Sequence, residues 1–207
     1  KKAVENTEKA IEEIESDGNA ENAKEALEKV SRLQNKVESH YDKVAEVKDA
    51  ILERQRERMS PEQIKKLEEV FSKIKEKAKE VENKAELKKE NVKTKYKTLA
   101  GKTDEQVNAE ENEIDKETGL AKGREDRSER TIRKAENALA KAKEKLRDEK
   151  VKGSDVEEIG EKVKETEEQI KEAKQAKSQG NNKNARDISE KVKDFGNEVS
   201  EFATKLG

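Results

Sequence analysis

Cysteine and tryptophan are absent from the 207 residues, and there are one proline, one histidine and five other aromatic side chains. Each shortage removes a class of chemistry. Without cysteine there is no disulfide framework, no thiolate metal site and no cysteine nucleophile. With His40 as the single histidine, and no plausible local base for the serines, nucleophilic triads and histidine-based metal centres lack their parts. No apolar run is long enough for a membrane span or the core of a signal peptide, and no N-x-Ser/Thr sequon occurs. Residues 119–126, "GLAKGRED", lack the Gly-Lys-Ser/Thr ending of a phosphate loop and read as a helix break. The expectation is a non-enzymatic protein with no catalytic residue, cofactor or metal, and no membrane insertion by this segment.

What is present is charge: 48 basic and 50 acidic side chains, 47% of the chain. Leu, Ile, Val and Phe number 37, too few for a large globular core and close to the level at which disorder competes with folding. The two signs nearly cancel and are finely interspersed, so neither a generic nucleic-acid binder nor a self-repelling tail is favoured. Periodicity decides between helix and disorder. Ile64, Leu67, Phe71, Ile74, Ala78, Val81 and Ala85 alternate gaps of three and four, which places them on one helical stripe. The same spacing runs through Val156, Ile159, Val163, Thr166, Ile170 and Ala173, and through Ala185, Ile188, Val192, Phe195, Val199, Phe202 and Leu206. Ile132, Ala135, Leu139, Ala142 and Leu146 form a fourth stripe, and a less regular fifth runs from Leu27 through Val30, Leu33, Val37, Tyr41, Val44 and Val47 to Ile51.

The helix ends are written as clearly. Ser60-Pro61-Glu62-Gln63 is a capping box with proline at the first helical position, and Thr103 to Gln106 and Ser154 to Glu157 repeat the grammar after Gly101 and Gly153. The predicted helices lie near 3–15, 20–59, 61–100, 104–152, 155–178 and 184–206, with Gly119 and Gly123 leaving the 104–152 region as one bent helix or two. The expected fold is all-α: one elongated antiparallel helical bundle over 1–207 with coiled-coil-like seams, monomeric or weakly self-associating. Residues 88–102 hold six lysines and one glutamate, and residues 104–117 hold seven acids and one lysine. A hairpin at Gly101 would lay these runs side by side, which accounts for Lys93, Lys95 and Lys97 without a nucleic-acid site.

Seven of the ten arginines fall in two short segments: Arg54, Arg56 and Arg58, then Arg124, Arg127, Arg130 and Arg133. Guanidinium groups favour protein interfaces, so both segments are candidate partner-binding surfaces. The competing reading is a solvated helix face, since Asp126 with Arg130 and Glu129 with Arg133 have the spacing of surface ion pairs, and a spacing of three fans the four arginines around the helix. His40, beside Tyr41, reads as a flank of the apolar seam.

The segments "ENKAELKKENVKTKYK", "KETEEQIKEAKQAKSQGNNKN" and "ISEKVKDFGNEVSEFATKLG" resemble the mature ectodomains of Borrelia outer-surface lipoproteins, including the OspF-related group. The resemblance is one of composition and helical style across most of the chain. It implies a helical ectodomain at a bacterial cell surface, held at the outer membrane by a lipid anchor and engaging a host extracellular-matrix, serum or complement protein. The chain begins at Lys1 and is expected to be a processed or excised piece whose anchor lies elsewhere. The alternatives are a structural coiled-coil spacer or oligomerising rod, and a hydrophilic protein that folds only on drying or binding.

Overall fold

The computed structural model describes residues 2–16, 18–55, 58–148 and 154–206. Among them are seven helices and no strand: α1 (Lys2–Glu12), α2 (Ala20–Gln55), α3 (Pro61–Ala100), α4 (Asp104–Glu117), α5 (Leu120–Asp148), α6 (Ser154–Ser178) and α7 (Asn182–Leu206). The protein is an all-α helical bundle. It divides into two compact units, Lys1–Gly123 and Arg124–Gly207. The sequence carries no mark of that division, because Gly123 continues α5, its N–H donating to the Gly119 carbonyl at 2.9 Å.

In the first unit α2 and α3 form a long antiparallel hairpin, roughly 54 and 60 Å from end to end at 1.5 Å per residue. The hairpin turns where the capping box requires. Ser60 is extended (φ −68°, ψ 156°), its hydroxyl accepts from Gln63 N–H at 3.3 Å, and Gln63 Oε1 accepts from Ser60 N–H at 2.8 Å. α2 is described to Gln55, and residues 58–60, next described before Pro61, are not α-helical, so the helix does not run to Met59. Pro61 bars Ser60 from the α region. At the other end of α3, Gly101 takes the left-handed conformation (φ 62°) and Lys102 N–H reaches back to the Lys97 carbonyl at 3.2 Å. That arrangement satisfies a carbonyl left open at a helix terminus and re-aims the chain into α4. Thr103 and Gln106 then form the second capping box. The region left open as one helix or two is two: Gly119, at φ 73°, separates α4 from α5.

Two cores lie along the hairpin. Val4 and Ile11 of α1 pack with Val37, Tyr41, Ala78, Val81 and Ala85. Nearer the base, Ala23, Leu27 and Val30 meet Val92 and Tyr96, with Val107 and Ile114 of α4 and Ile14 from the segment after α1. A polar layer interrupts the apolar one: Gln34, Glu38 and Glu82 are each at most 1% exposed, with Thr7 of α1 beside them in burial. Buried polar groups of this kind disfavour a slipped register, because a shift would strand them.

In the second unit α5, α6 and α7 share a core of Ala135, Leu139, Val163, Ile170 and Val192, extended by Ile132, Ala173, Ala176 and Ala185. All of these but Ala176 are predicted stripe positions. The stripe residues Ala142, Leu146, Val156, Ile159, Val199, Phe202 and Leu206, and the third capping box at Ser154, lie outside the described side chains. The α6–α7 turn uses Gly180 (φ 79°), and the Asn181 side chain caps α7 by accepting from Asn184 N–H at 3.2 Å. Gly196 permits the close approach of α7 to α5, since a Cβ there would lie 2.8 Å from the Ala138 methyl and 2.9 Å from its carbonyl carbon.

Candidate functional site

A set of ion pairs joins neighbouring helices. The basic run of α3 and the acidic run of α4 lie side by side: Lys89 Nζ is 2.9 Å from Glu111 and 2.7 Å from Asp115, Lys93 is 2.6 Å from Glu111, and Lys97 is 2.6 Å from Asp104. Lys89 is 5% exposed, and Asp115 also accepts from Ser31 of α2 at 2.9 Å, so one buried cluster joins three helices. Burial opposes ionisation of Glu111, but hydrogen bonds from Lys93 and Lys89 overcome it and hold the carboxyl below the usual range. Lys102 and the Tyr96 hydroxyl do the same for Glu110. On the opposite flank of α3, Glu8 of α1 takes Lys84 and Lys77 together, which lowers its pKa. The candidate nucleic-acid lysines Lys93 and Lys97 are therefore inside an intramolecular network, and Lys95 is exposed beside it.

The two arginine segments separate on the structure. Arg54 and Arg58 are exposed at the end of the α2–α3 hairpin, while Arg56 lies outside the described residues. In the second segment Arg127 is 4% exposed and is withdrawn from any partner-facing surface, Arg124 is half-buried, and Arg130 and Arg133 are exposed. Arg133 pairs with Glu129 at 3.2 Å as the spacing predicts; Arg130 donates to the Asp126 main-chain carbonyl at 3.4 Å. Glu129 is shared with Lys177 of α6, and Lys174 meets Glu136 at 2.6 Å. These pairs line a cleft of about 290 Å³ with Ile132 at its floor, and they neutralise it. The four arginines are not one patch.

The feature that sequence reasoning missed lies near Arg54. Along α3 the predicted stripe is evenly spaced, yet Ala78, Val81 and Ala85 are fully buried while Ile64, Leu67, Phe71 and Ile74 are half-buried. Val47 of the α2 stripe is 50% exposed, and Val70 of α3, outside the predicted stripe, is 54% exposed. A seven-residue step from Val70 to Lys77 was the available signal, because it puts Val70 on the face where α1 sits. His40 stands seven residues before Val47 and is half-buried. Burial, with Lys43 and Lys36 nearby, lowers its pKa.

Among the described residues no three His, Cys, Asp or Glu groups are placed to hold a metal ion, and no helix is long and apolar enough to cross a membrane. No protein family, curated protein or solved structure matches the chain.

Proposed function

We propose that this chain is the non-enzymatic ectodomain of a bacterial surface protein and that it binds a host extracellular-matrix, serum or complement protein. The observation that carries the binding role is the end of the α2–α3 hairpin, where Arg54 and Arg58 are exposed within a few turns of the half-exposed Val47 and Val70. Arginine beside accessible apolar area is the composition of protein-binding surfaces. Elsewhere the ionisable groups with the clearest pKa shifts, such as Glu8, Glu110 and Glu111, are engaged in holding helices together, which is structural chemistry. The surface setting and the host partner rest on the resemblance to Borrelia outer-surface lipoproteins, whose style of charged amphipathic helix this chain shares.

The test is biolayer interferometry of the immobilised chain against a panel of host matrix, serum and complement proteins, with a variant carrying Arg54→Ala, Arg56→Ala and Arg58→Ala. At least one partner should bind the parent, and the variant should bind it more weakly and with less salt dependence. Helicity should be unchanged, because alanine is at least as good a helix former as arginine. Equal affinity of parent and variant for every partner sinks the arginine end as the site. Absence of any binding sinks the host-binding role.

A further inference from the structure

α1 demonstrates what the α2–α3 seam accepts as a third helix. It contributes Val4 and Ile11 to a cluster whose outermost members on the hairpin are Tyr41 and Ala78, and between Val4 and Ile11 along α1, Glu8 receives Lys77 and Lys84. The accepted helix is thus apolar on one face and acidic along its edge.

The track continues toward the hairpin end. Val70 stands seven residues before Lys77 and fourteen before Lys84, and Val47 stands seven beyond His40 and fourteen beyond Leu33, which packs against the same cluster. Heptad steps keep residues on one stripe, drifting only about 20° each. Both valines are about half exposed, Val47 on the α2 stripe and Val70 beside a stretch of α3 whose stripe residues Ile64 to Ile74 are themselves only half-buried. The charges around them are one-sided. At three, four and seven residues either side of Val47 and Val70, the positions that share their faces, stand Lys43, Arg54, Lys66, Lys73 and Lys77 and not one carboxylate, in a chain with 50 acidic residues. A second copy offering this face would set cations against cations. Lys66 already meets Glu62 at 2.9 Å and Lys77 meets Glu8 and Glu80, so a helix edged with acid would meet chiefly Lys43, Arg54 and Lys73, as Glu8 meets Lys77.

We propose that the stretch of the α2–α3 hairpin marked by Val47 and Val70 is a docking groove for an amphipathic helix of another protein, apolar on one face and edged with glutamate or aspartate. The groove rests on the reading of the chain as a protein-binding module and supplies the chemistry of the partner. Docking there extends the three-helix packing of α1 by several turns, removes apolar surface from water and sets acid beside Lys43, Arg54 and Lys73.

The probes are two synthetic peptides of about 20 residues, long enough to form a helix, with valine and isoleucine at α1's spacing. In one every flanking position is glutamate; in its twin every flanking position is lysine. Fluorescence anisotropy with the full chain should show binding of the acidic peptide and not of the basic one, with affinity falling as salt rises. Val47→Glu with Val70→Glu should weaken it on the order of tenfold or more, since the apolar contact is lost and the charge reversed. Lys73→Glu alone should weaken it less, and circular dichroism should show both variants folded. Equal binding of the two peptides, or no binding of either, overturns the groove. So does sedimentation showing a dimer of the parent chain that Val70→Glu dissociates, because the occupant is then a second copy. If the peptides fail while a host protein still binds through the arginine end, the groove falls and the protein-binding role stands; if the host panel fails as well, both fall.

Discussion

The two halves of α3 carry the same stripe and meet different fates. From Ala78 to Ala85 the small residues of the stripe are completely buried; from Ile64 to Ile74 much larger ones are only half-buried. Spacing is not the cause, since the gaps of three and four run on without a break. In the inner half α1 and α4 flank the α2–α3 seam, with Glu8 on one side of α3 and Glu111 on the other, whereas the outer half lies beyond both of their contact clusters. A two-helix seam buries one narrow line of side chains, and a third helix converts that line into a core. The difference teaches that periodicity names the residues that face inward and leaves their burial to the neighbours.

The sharpest way to break this comparison is to place the same charge in each half. Val81→Asp buries an unpaired carboxylate at a fully enclosed position and is expected to cost on the order of 4 kcal/mol, read by urea denaturation. Ile74→Asp, at a half-buried position, should cost about 2 kcal/mol, and Val70→Asp less than about 1 kcal/mol. Equal costs at positions 81 and 70 would show that the outer half is as well packed as the inner.

The caps at the two ends of α3 sharpen it next. Removing the Ser60 hydroxyl by Ser60→Ala loosens only the hairpin end, while Thr103→Ala loosens the start of the helix that carries Glu110, Glu111 and Asp115 into the buried network. Each loses a cap of about 1 kcal/mol. Hydrogen exchange should place the first loss in the outer half and the second in α4 and the base of the hairpin.

Acid provides a third discrimination. Glu8, Glu110 and Glu111 all have depressed folded-state pKa values, so the stability they contribute is complete above the unfolded carboxylate value of about 4.3 and is lost as pH falls through their lower folded values. Amide exchange followed down from pH 5 should therefore show α1 and α4 loosening from the hairpin below about pH 4, by the same linkage. Protection in α1 and α4 that is unchanged there would remove these pairs from the account of the inner half. The smallest effect is at His40. Its folded pKa is lowered, chiefly by burial, so the unfolded chain binds the proton first and stability declines as pH drops from about 6.5 toward the folded value. His40→Leu should flatten that decline, as seen in melting curves between pH 5 and 7.

Local rules carried much of this fold. The one proline opens α3, and Gly101 and Gly180 stand where helices stop; Ser60 with Gln63 and Thr103 with Gln106 close the boxes their spacing implied; and the opposed signs of 88–102 and 104–117 pair across the turn between them. These features are legible because they depend on residues a turn or two apart, or on a hairpin that one short turn specifies. The interaction surface was only partly legible. Arg54 and Arg58 are exposed as a helix end requires, but Arg127, spaced like its neighbours, is buried, and Val70, off the stripe, is half exposed. Both outcomes depend on which helices lie alongside, and contacts between residues distant in sequence leave no local pattern. The sequence by itself determined the helices, their ends and their inward faces, through backbone sterics and 3.6-residue periodicity. The tertiary structure alone decided how far α1 and α4 extend along the hairpin, and hence which apolar residues became core and which remained available to a partner.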